Sequence, residues 1–342
     1  MPEKILILTP NWLGDAVLAL PAIEAVKQIF PQARLSLLIP GHLLDIFKYN
    51  PVVDDLITYN HLKGFKGLWE DKRLVGGLKR MDFDLAVIFP NSFRSALLTS
   101  LSGIPERVGY RADARSFLLT RPLSRADGWL RQHMVDYYMN LVRGLGYVGE
   151  TGPPKIYLSQ EEEMWADEFI ASISGGHEEA VVGLNPGATY GPAKRWFPER
   201  FVGLARRLAE NYRVKFLIFG GPREMGMVEG MAQSLGGKGI SLAGKTDLLK
   251  LAVLSRRCAV FITNDSGPMH LAAASGARVI ALFGSTDPGK SGPLGDSLVI
   301  WGRVECSPCF KRTCKIGYLC LKEISVEKVY EAASPLLKGF ER

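Results

Sequence analysis

Short apolar runs, the length of buried strands, alternate with longer stretches of helical period along the whole chain. In the first half, Ile5–Leu8, Leu35–Ile39, Leu56–Tyr59 and Leu85–Phe89 are nearly unbroken apolar runs, the pattern of strands covered on both faces. A helix is expected over Ala16–Phe30, where Pro21 lacks an amide hydrogen and must kink or restart it. The second half repeats the scheme with Val181–Leu184, Val214–Phe219, Ile240–Leu242, Ala259–Thr263 and Val279–Phe283. Between the halves, Gly149–Pro154 breaks both periods, and a short Ile156–Leu158 segment leads into an acid-rich helix over Gln160–Ser172. A last helical stretch covers Val326–Leu337, with no signal for the half it packs on.

Strand and helix in alternation predict an α/β fold of doubly wound parallel sheets. The expected organisation is a first domain over 1–155, a linker and helix over 156–178, a second domain over 179–325 and a terminal helix over 326–342. Ligands of such sheets sit at the carboxyl ends of the strands, so a cleft shared by the two domains is expected there.

The length of 342 residues suits two domains, and 47% hydrophobic with 23% charged residues suits two cores in a globular chain. No run approaches the ~20 apolar residues that span a bilayer, and the start MPEKILIL lacks a basic segment followed by a long apolar one, so a cytoplasmic protein is expected. A net charge of +7 favours an acidic partner. Zinc-finger spacing and an aromatic-studded basic stripe are missing, which argues against nucleic acid.

The candidate chemistry lies where strands end. After Ala259–Thr263 the chain reads NDSGPMHLAAA, and Asp265, Ser266, Gly267 and Pro268 have the composition of a helix start. Such a start turns backbone N–H groups and the positive end of the helix dipole towards an anion, and His270 lies one turn further on. Capping alone would account for Asp265 and Ser266, and packing alone for His270. At the end of the first strand, Gly14 permits close approach of a ligand, and Asp15 is either a helix cap or a carboxylate placed to take a proton from a hydroxyl.

The second domain opens with NPGATYGPAKRWFP, a turn at Asn185–Gly187 followed by the Thr189 hydroxyl and the cations Lys194 and Arg195. A lysine and a hydroxyl on a Gly-rich loop can clamp a diphosphate, although a surface Lys-Arg pair can equally be solvated. The next strand ends in FGGPRE, which puts Gly220, Gly221 and Glu224 at the same sheet edge, and Leu242–Thr246 ends another. These glycines do not form GxGxxG after the first strand, so a dinucleotide dehydrogenase is set aside. Cys306, Cys309, Cys314 and Cys320 follow a C-x2-C-x4-C-x5-C spacing, for which free thiols or a structural zinc are the alternatives, while Cys258 reads as a core residue.

Together, GDAVLALPAI, NPGATYGPAKRWFP, FGG with Glu224 and NDSGPMHLAAASG resemble the ADP-heptose:lipopolysaccharide heptosyltransferases of glycosyltransferase family 9, along nearly the whole chain. Within that family the type II enzymes are most similar, and CSPCFKRTC is similar to a segment of some of them. The resemblance implies a GT-B fold, two Rossmann-like domains facing a cleft, and an inverting transfer of L-glycero-D-manno-heptose that requires no cofactor or catalytic metal. ADP-heptose is the implied donor, and the implied acceptor is the first heptose on Kdo-lipid A in the lipopolysaccharide inner core. By the same resemblance Asp15 is the general base and Thr189 and Lys194 hold the diphosphate. Glu224 holds the ribose, and Gly14, Asp265, Ser266, Gly267 and His270 complete the donor site.

Arg94, Arg107, Arg111 and Arg115 are candidate contacts to acceptor phosphates and carboxylates. A lipid-linked acceptor and a basic chain imply peripheral contact with the cytoplasmic face of the inner membrane. The alternatives are a type I or III heptosyltransferase, another nucleotide-sugar transferase of the family, or a binding protein without catalysis.

Overall fold

The computed structural model describes residues 1–60, 64–174 and 179–342, so residues 175–178 of the expected linker lie outside the described residues. The chain divides into two units, Met1–Tyr157 and Leu158–Arg342.

In the first unit the strands are β1 (Lys4–Leu8), β2 (Arg34–Pro40), β3 (Asp55–Tyr59), β4 (Leu85–Ile88), β5 (Glu106–Tyr110) and β6 (Arg121–Leu123). They form one parallel sheet in the order β3-β2-β1-β4-β5-β6. Its helices are α1 (Leu13–Leu18), α2 (Leu20–Ile29), α3 (Gly64–Met81), α4 (Phe93–Leu101) and α5 (Met134–Arg143). The helix expected over Ala16–Phe30 is divided at Ala19, and Pro21 sits in the first turn of α2, where a missing N–H is harmless. One sheet face presents Leu6 and Leu8 to Leu78 of α3 and Ala96 of α4. Alternation along β1 turns the fully buried Ile5 and Ile7 the other way, and α1 and α2 pack on α5.

The second unit repeats this plan. Its strands β7 (Ala180–Asn185), β8 (Val214–Ile218), β9 (Gly239–Ser241), β10 (Val260–Asn264), β11 (Val279–Phe283) and β12 (Ser297–Trp301) are parallel in the order β12-β11-β10-β7-β8-β9. The helices are α6 (Gln160–Ser174), α7 (Pro198–Asn211), α8 (Met225–Ser234), α9 (Leu248–Arg257), α10 (Gly267–Ala274), α11 (Pro288–Ser291), α12 (Leu319–Lys322) and α13 (Val326–Ala333). The acid-rich helix α6 docks on α9 through Arg257, whose guanidinium holds both Glu163 and Asp167. The final helix belongs to this unit: Val329, Ala333 and Leu337 are fully buried in its core beside Leu204 of α7. Burial of Val329 and of Leu337 contributes about 1.5–3 kcal/mol of transfer free energy each.

Both sheets start with a central strand and reverse direction beside it, between β1 and β4 and between β7 and β10. Neighbouring crossovers leave to opposite faces at such a switch point, and a crevice opens at the carboxyl ends. Asp15 follows β1, and the Asn185–Lys194 loop and the start of α10 follow β7 and β10.

Candidate active site

In the second unit two asparagines tie the switch-point loops together. The Asn185 amide donates to Thr263 Oγ1 at 2.9 Å and to Ser266 Oγ at 3.2 Å. Asn264 accepts from Trp196 N at 2.9 Å and donates to Pro186 O at 2.7 Å. Trp196 is fully buried and anchored through Nε1 to Ile324 O at 2.9 Å, which fixes the loop directly after Lys194.

On that frame Lys194 Nζ stands 2.6 Å from Asp265 Oδ2, the two side chains being 13% and 4% exposed. The Thr286 hydroxyl donates to the same carboxylate oxygen. Lys194 Nζ also lies 4.7 Å from the centre of the Tyr190 ring, so the ammonium is held by a carboxylate and an aromatic face. A buried carboxylate with its own lysine offsets much of the cost of keeping a cation at a dry phosphate site.

Ser266 is the residue before α10, yet its hydroxyl makes no capping bond to the helix. The expectation of a capping hydroxyl is thereby corrected: Ser266 Oγ accepts from Asn185 instead. The helix start is therefore not closed by a side chain, with Gly267 and Pro268 in its first turn and His270 buried within it. Glu224 folds back to accept from Gly221 N at 2.9 Å. A Cβ on Gly187 would lie 2.2 Å from Glu224 Oε1, so the carboxylate rests directly on the turn after β7. Thr189 is exposed in that same loop. Gly187→Ala is expected to push Glu224 off this turn and, if the ribose is lost with it, to raise the donor KM roughly ten-fold or more with a smaller change in kcat, read by steady-state kinetics.

In the first unit Trp12, in extended conformation, is the residue that precedes α1, and Asp15 lies within the first turn. Asp15 is thus not the cap residue, and its half-buried carboxylate stands near Tyr138 of α5. The phenol there is pushed well above its ordinary value by burial, with the Asp15 charge adding to the effect. Gly14 adjoins it in the same turn. Beside this point, Tyr59 donates to Asn11 Oδ1 at 2.7 Å, and Arg94 lies 5.5 Å from the Tyr59 ring while pairing with Asp71 through both ends of its fork. Tyr59, Asp71 and Arg94 line a groove of about 370 Å³ along α3.

The four arginines separate. Arg94 and Arg111 lie just beyond the carboxyl ends of β4 and β5. Arg107 lies near the amino end of β5, at the far edge of the sheet, and donates to Leu118 O at 2.7 Å and to Ile104 O. Arg115 is fully buried and donates to Tyr110 O, Pro90 O, Ser92 O, Asn91 Oδ1 and Ser95 Oγ. Burial pushes its guanidinium down to about 10. Arg107 and Arg115 thus hold loop carbonyls, Arg107 away from the carboxyl ends of the strands and Arg115 in the interior. Arg115→Leu should lower the unfolding free energy of the first unit by about 3 kcal/mol, because buried carbonyls lose their donors, and urea titration would measure it.

Nothing local in the sequence marks Arg125. Its Nε is buried without a hydrogen-bond partner among the described residues, and its guanidinium lies 4.3 Å from the Trp129 ring.

Cys306 is exposed, Cys309 and Cys314 are half-buried, Cys320 is buried, and all are free thiols. Among the described residues no group of three or more His, Cys, Asp or Glu side chains is placed to hold a metal ion, while burial raises the Cys320 thiol and Cys306, Cys309 and Cys314 all lie close enough to add to the effect. The cysteine loop docks through its backbone: Cys309 N and Phe310 N donate to Ser285 O, Tyr190 donates its hydroxyl to Phe310 O at 2.6 Å, and Ala193 N donates to Arg312 O at 3.0 Å. It thereby braces the loops that carry Lys194 and Thr286. Cys258 is a core residue whose thiol burial pushes far up. No helix among the described residues is long and apolar enough to cross a membrane.

A family profile described as glycosyltransferase family 9 (heptosyltransferase) matches residues 72–319. The chain is 31% identical over 306 residues to lipopolysaccharide heptosyltransferase 2 of Salmonella typhimurium, covering 85% of each chain. Lipooligosaccharide heptosyltransferase 2 of Haemophilus ducreyi is 31% identical, over 87% of this chain and 88% of the relative. Among solved structures, ADP-heptose lipopolysaccharide heptosyltransferase II of E. coli matches with a TM-score of 0.81 at 26% identity over 98% of both chains. The family 9 glycosyl transferase of Veillonella parvula matches at 0.86 and 26% identity, over 98% of this chain and 97% of that one.

Proposed function

The chain belongs to glycosyltransferase family 9, the heptosyltransferases, and from that membership we propose that it transfers L-glycero-D-manno-heptose from ADP-heptose to the first heptose of the lipopolysaccharide inner core, the type II reaction. The observation that carries the reading is the buried Lys194–Asp265 pair at the switch point of the second sheet, beside a helix start that no side chain caps. An ADP diphosphate set there meets the ammonium and the helix dipole together.

In this mechanism the leaving diphosphate gains negative charge as the glycosidic bond breaks, and Lys194 with the start of α10 stabilises it. Asp265, oriented by Thr286, fixes the ammonium. Glu224 takes the ribose hydroxyls, and Thr189 adds a hydroxyl to the diphosphate. Asp15 accepts the proton of the acceptor hydroxyl as that oxygen attacks the anomeric carbon opposite ADP, and one displacement inverts the centre. The acceptor's anionic groups are assigned to Arg94 and Arg111, with Arg125 added. No step requires a metal. The second unit is the donor-binding domain and the first the acceptor-binding domain.

The lipid-linked acceptor makes the protein a peripheral visitor to the cytoplasmic face of the inner membrane. Calorimetric titration with ADP tests the donor half of the reading. Wild type should bind and Lys194→Ala should bind at least ten-fold more weakly, whereas equal affinities would move the diphosphate elsewhere.

A further inference from the structure

All of the cations of α3 lie on one exposed face of the helix, with Glu70 at its edge and Asp71 outside it. Lys66, Lys72, Arg73, Lys79 and Arg80 are exposed, and at about 100° per residue they fall within one arc of roughly 140°, which widens to about 160° with Leu68. Asp71 points to the other side, where it holds Arg94 and Leu78 enters the core, and the half-buried Glu70 stands at the edge of the cationic arc beside Lys66. The cationic arc also carries two large apolar side chains that the unit leaves in water: Leu68 is 67% and Trp69 63% exposed. The Arg73 guanidinium lies 6.0 Å from the Trp69 ring. A face that served only to keep the protein soluble would not set a tryptophan and a leucine among its lysines.

We propose that α3 is a membrane-docking helix, lying along an anionic bilayer with its cations at the lipid phosphates and Trp69 and Leu68 entering the headgroup boundary. The chemistry fits each component. Polybasic faces are drawn to acidic lipid by a salt-sensitive attraction, and indole rings favour the boundary between headgroup and acyl chain. An acidic soluble partner would satisfy the five cations yet leave the apolar pair unexplained. The inference rests on the proposed function in one respect, since a lipid-anchored acceptor gives the protein its reason to meet a bilayer. It adds which surface makes the contact.

The test is flotation of the full-length protein with vesicles of phosphatidylcholine containing phosphatidylglycerol, against vesicles of phosphatidylcholine alone. Binding is expected only to the anionic vesicles and should fall as salt is raised. Each lysine neutralised on this face should weaken binding roughly five-fold, so Lys66→Gln with Lys72→Gln should weaken it by about 25-fold. Leu68→Ser with Trp69→Ser should cost at least ten-fold even at low salt. Equal binding to both kinds of vesicle, or unchanged binding by both double variants, would overturn the proposal; so would loss with the lysine variant alone, which indicates a plain anion-binding face. A delipidated, water-soluble acceptor separates the two readings. Variants that transfer to it at the wild-type rate are folded, and a wild type that transfers to it while ignoring vesicles sinks the docking helix alone. Vesicle binding without transfer to any acceptor leaves the helix standing and removes the proposed function.

Discussion

Lys194→Ala should lower turnover by roughly 100-fold to 1,000-fold, the usual effect of removing a donor aimed at charge that develops in the transition state. The same change should destabilise the second unit, because Asp265, 4% exposed, would lose its cation and keep, among the described residues, the Thr286 hydroxyl. Removing one partner of a buried ion pair costs about 3–5 kcal/mol, most of it from the stranded charge. The two effects can be separated. Adding Asp265→Asn to Lys194→Met replaces the stranded carboxylate with a neutral group, so stability should largely return while turnover stays low. Denaturant titration and initial rates on the same preparations give both numbers. Turnover of Lys194→Ala within ten-fold of wild type would show that the lysine serves the fold and not the leaving group.

For Asp15→Asn a loss of roughly 100-fold or more in kcat is expected under the proposed role of general base, with ADP affinity nearly unchanged, since a base for the acceptor hydroxyl takes no part in holding the donor. The side chain is half-buried in the first turn of α1, so the substitution should hardly affect stability. Near-normal turnover would remove Asp15 from the role. A matched loss of ADP affinity would instead place the carboxylate at the donor.

Much of this arrangement was legible in the sequence, because the strands that build the switch points are buried and largely apolar. β1, β4, β7 and β10 are buried along almost their whole length and read as apolar runs. What escaped was at the sheet edges. β5 begins with Glu106 and Arg107 and β6 is the tripeptide Arg121–Leu123 with a proline at its centre, so neither is an unbroken apolar run; β12 does carry one, Leu298–Trp301, but as an edge strand it is only partly buried.

The chemistry was legible as residue types and not as partnerships. Ser266 has the composition of a cap, but its hydroxyl is taken by an amide 81 residues away. Arg115 looks like its neighbours in a basic segment, and only the tertiary fold turns it inward onto the carbonyls of β4 and β5 loops. Local pattern cannot report which long-range partner wins a polar group, and that competition decides whether an arginine binds a ligand or a loop. The pairing of Lys194 with Asp265 is of the same kind: both were marked as donor-site residues, and their direct contact emerges only from the fold.

The central claim is a heptose transfer to one particular acceptor. Its most direct test is mass spectrometry of Kdo-lipid A carrying a single heptose after incubation with the protein, ADP-heptose and EDTA, beside the same acceptor without heptose. The account predicts one heptose added to the first acceptor and none to the second. Addition to the heptose-free acceptor would contradict it in favour of the type I reaction, and ADP-heptose binding with no product on either would contradict the assigned acceptor altogether.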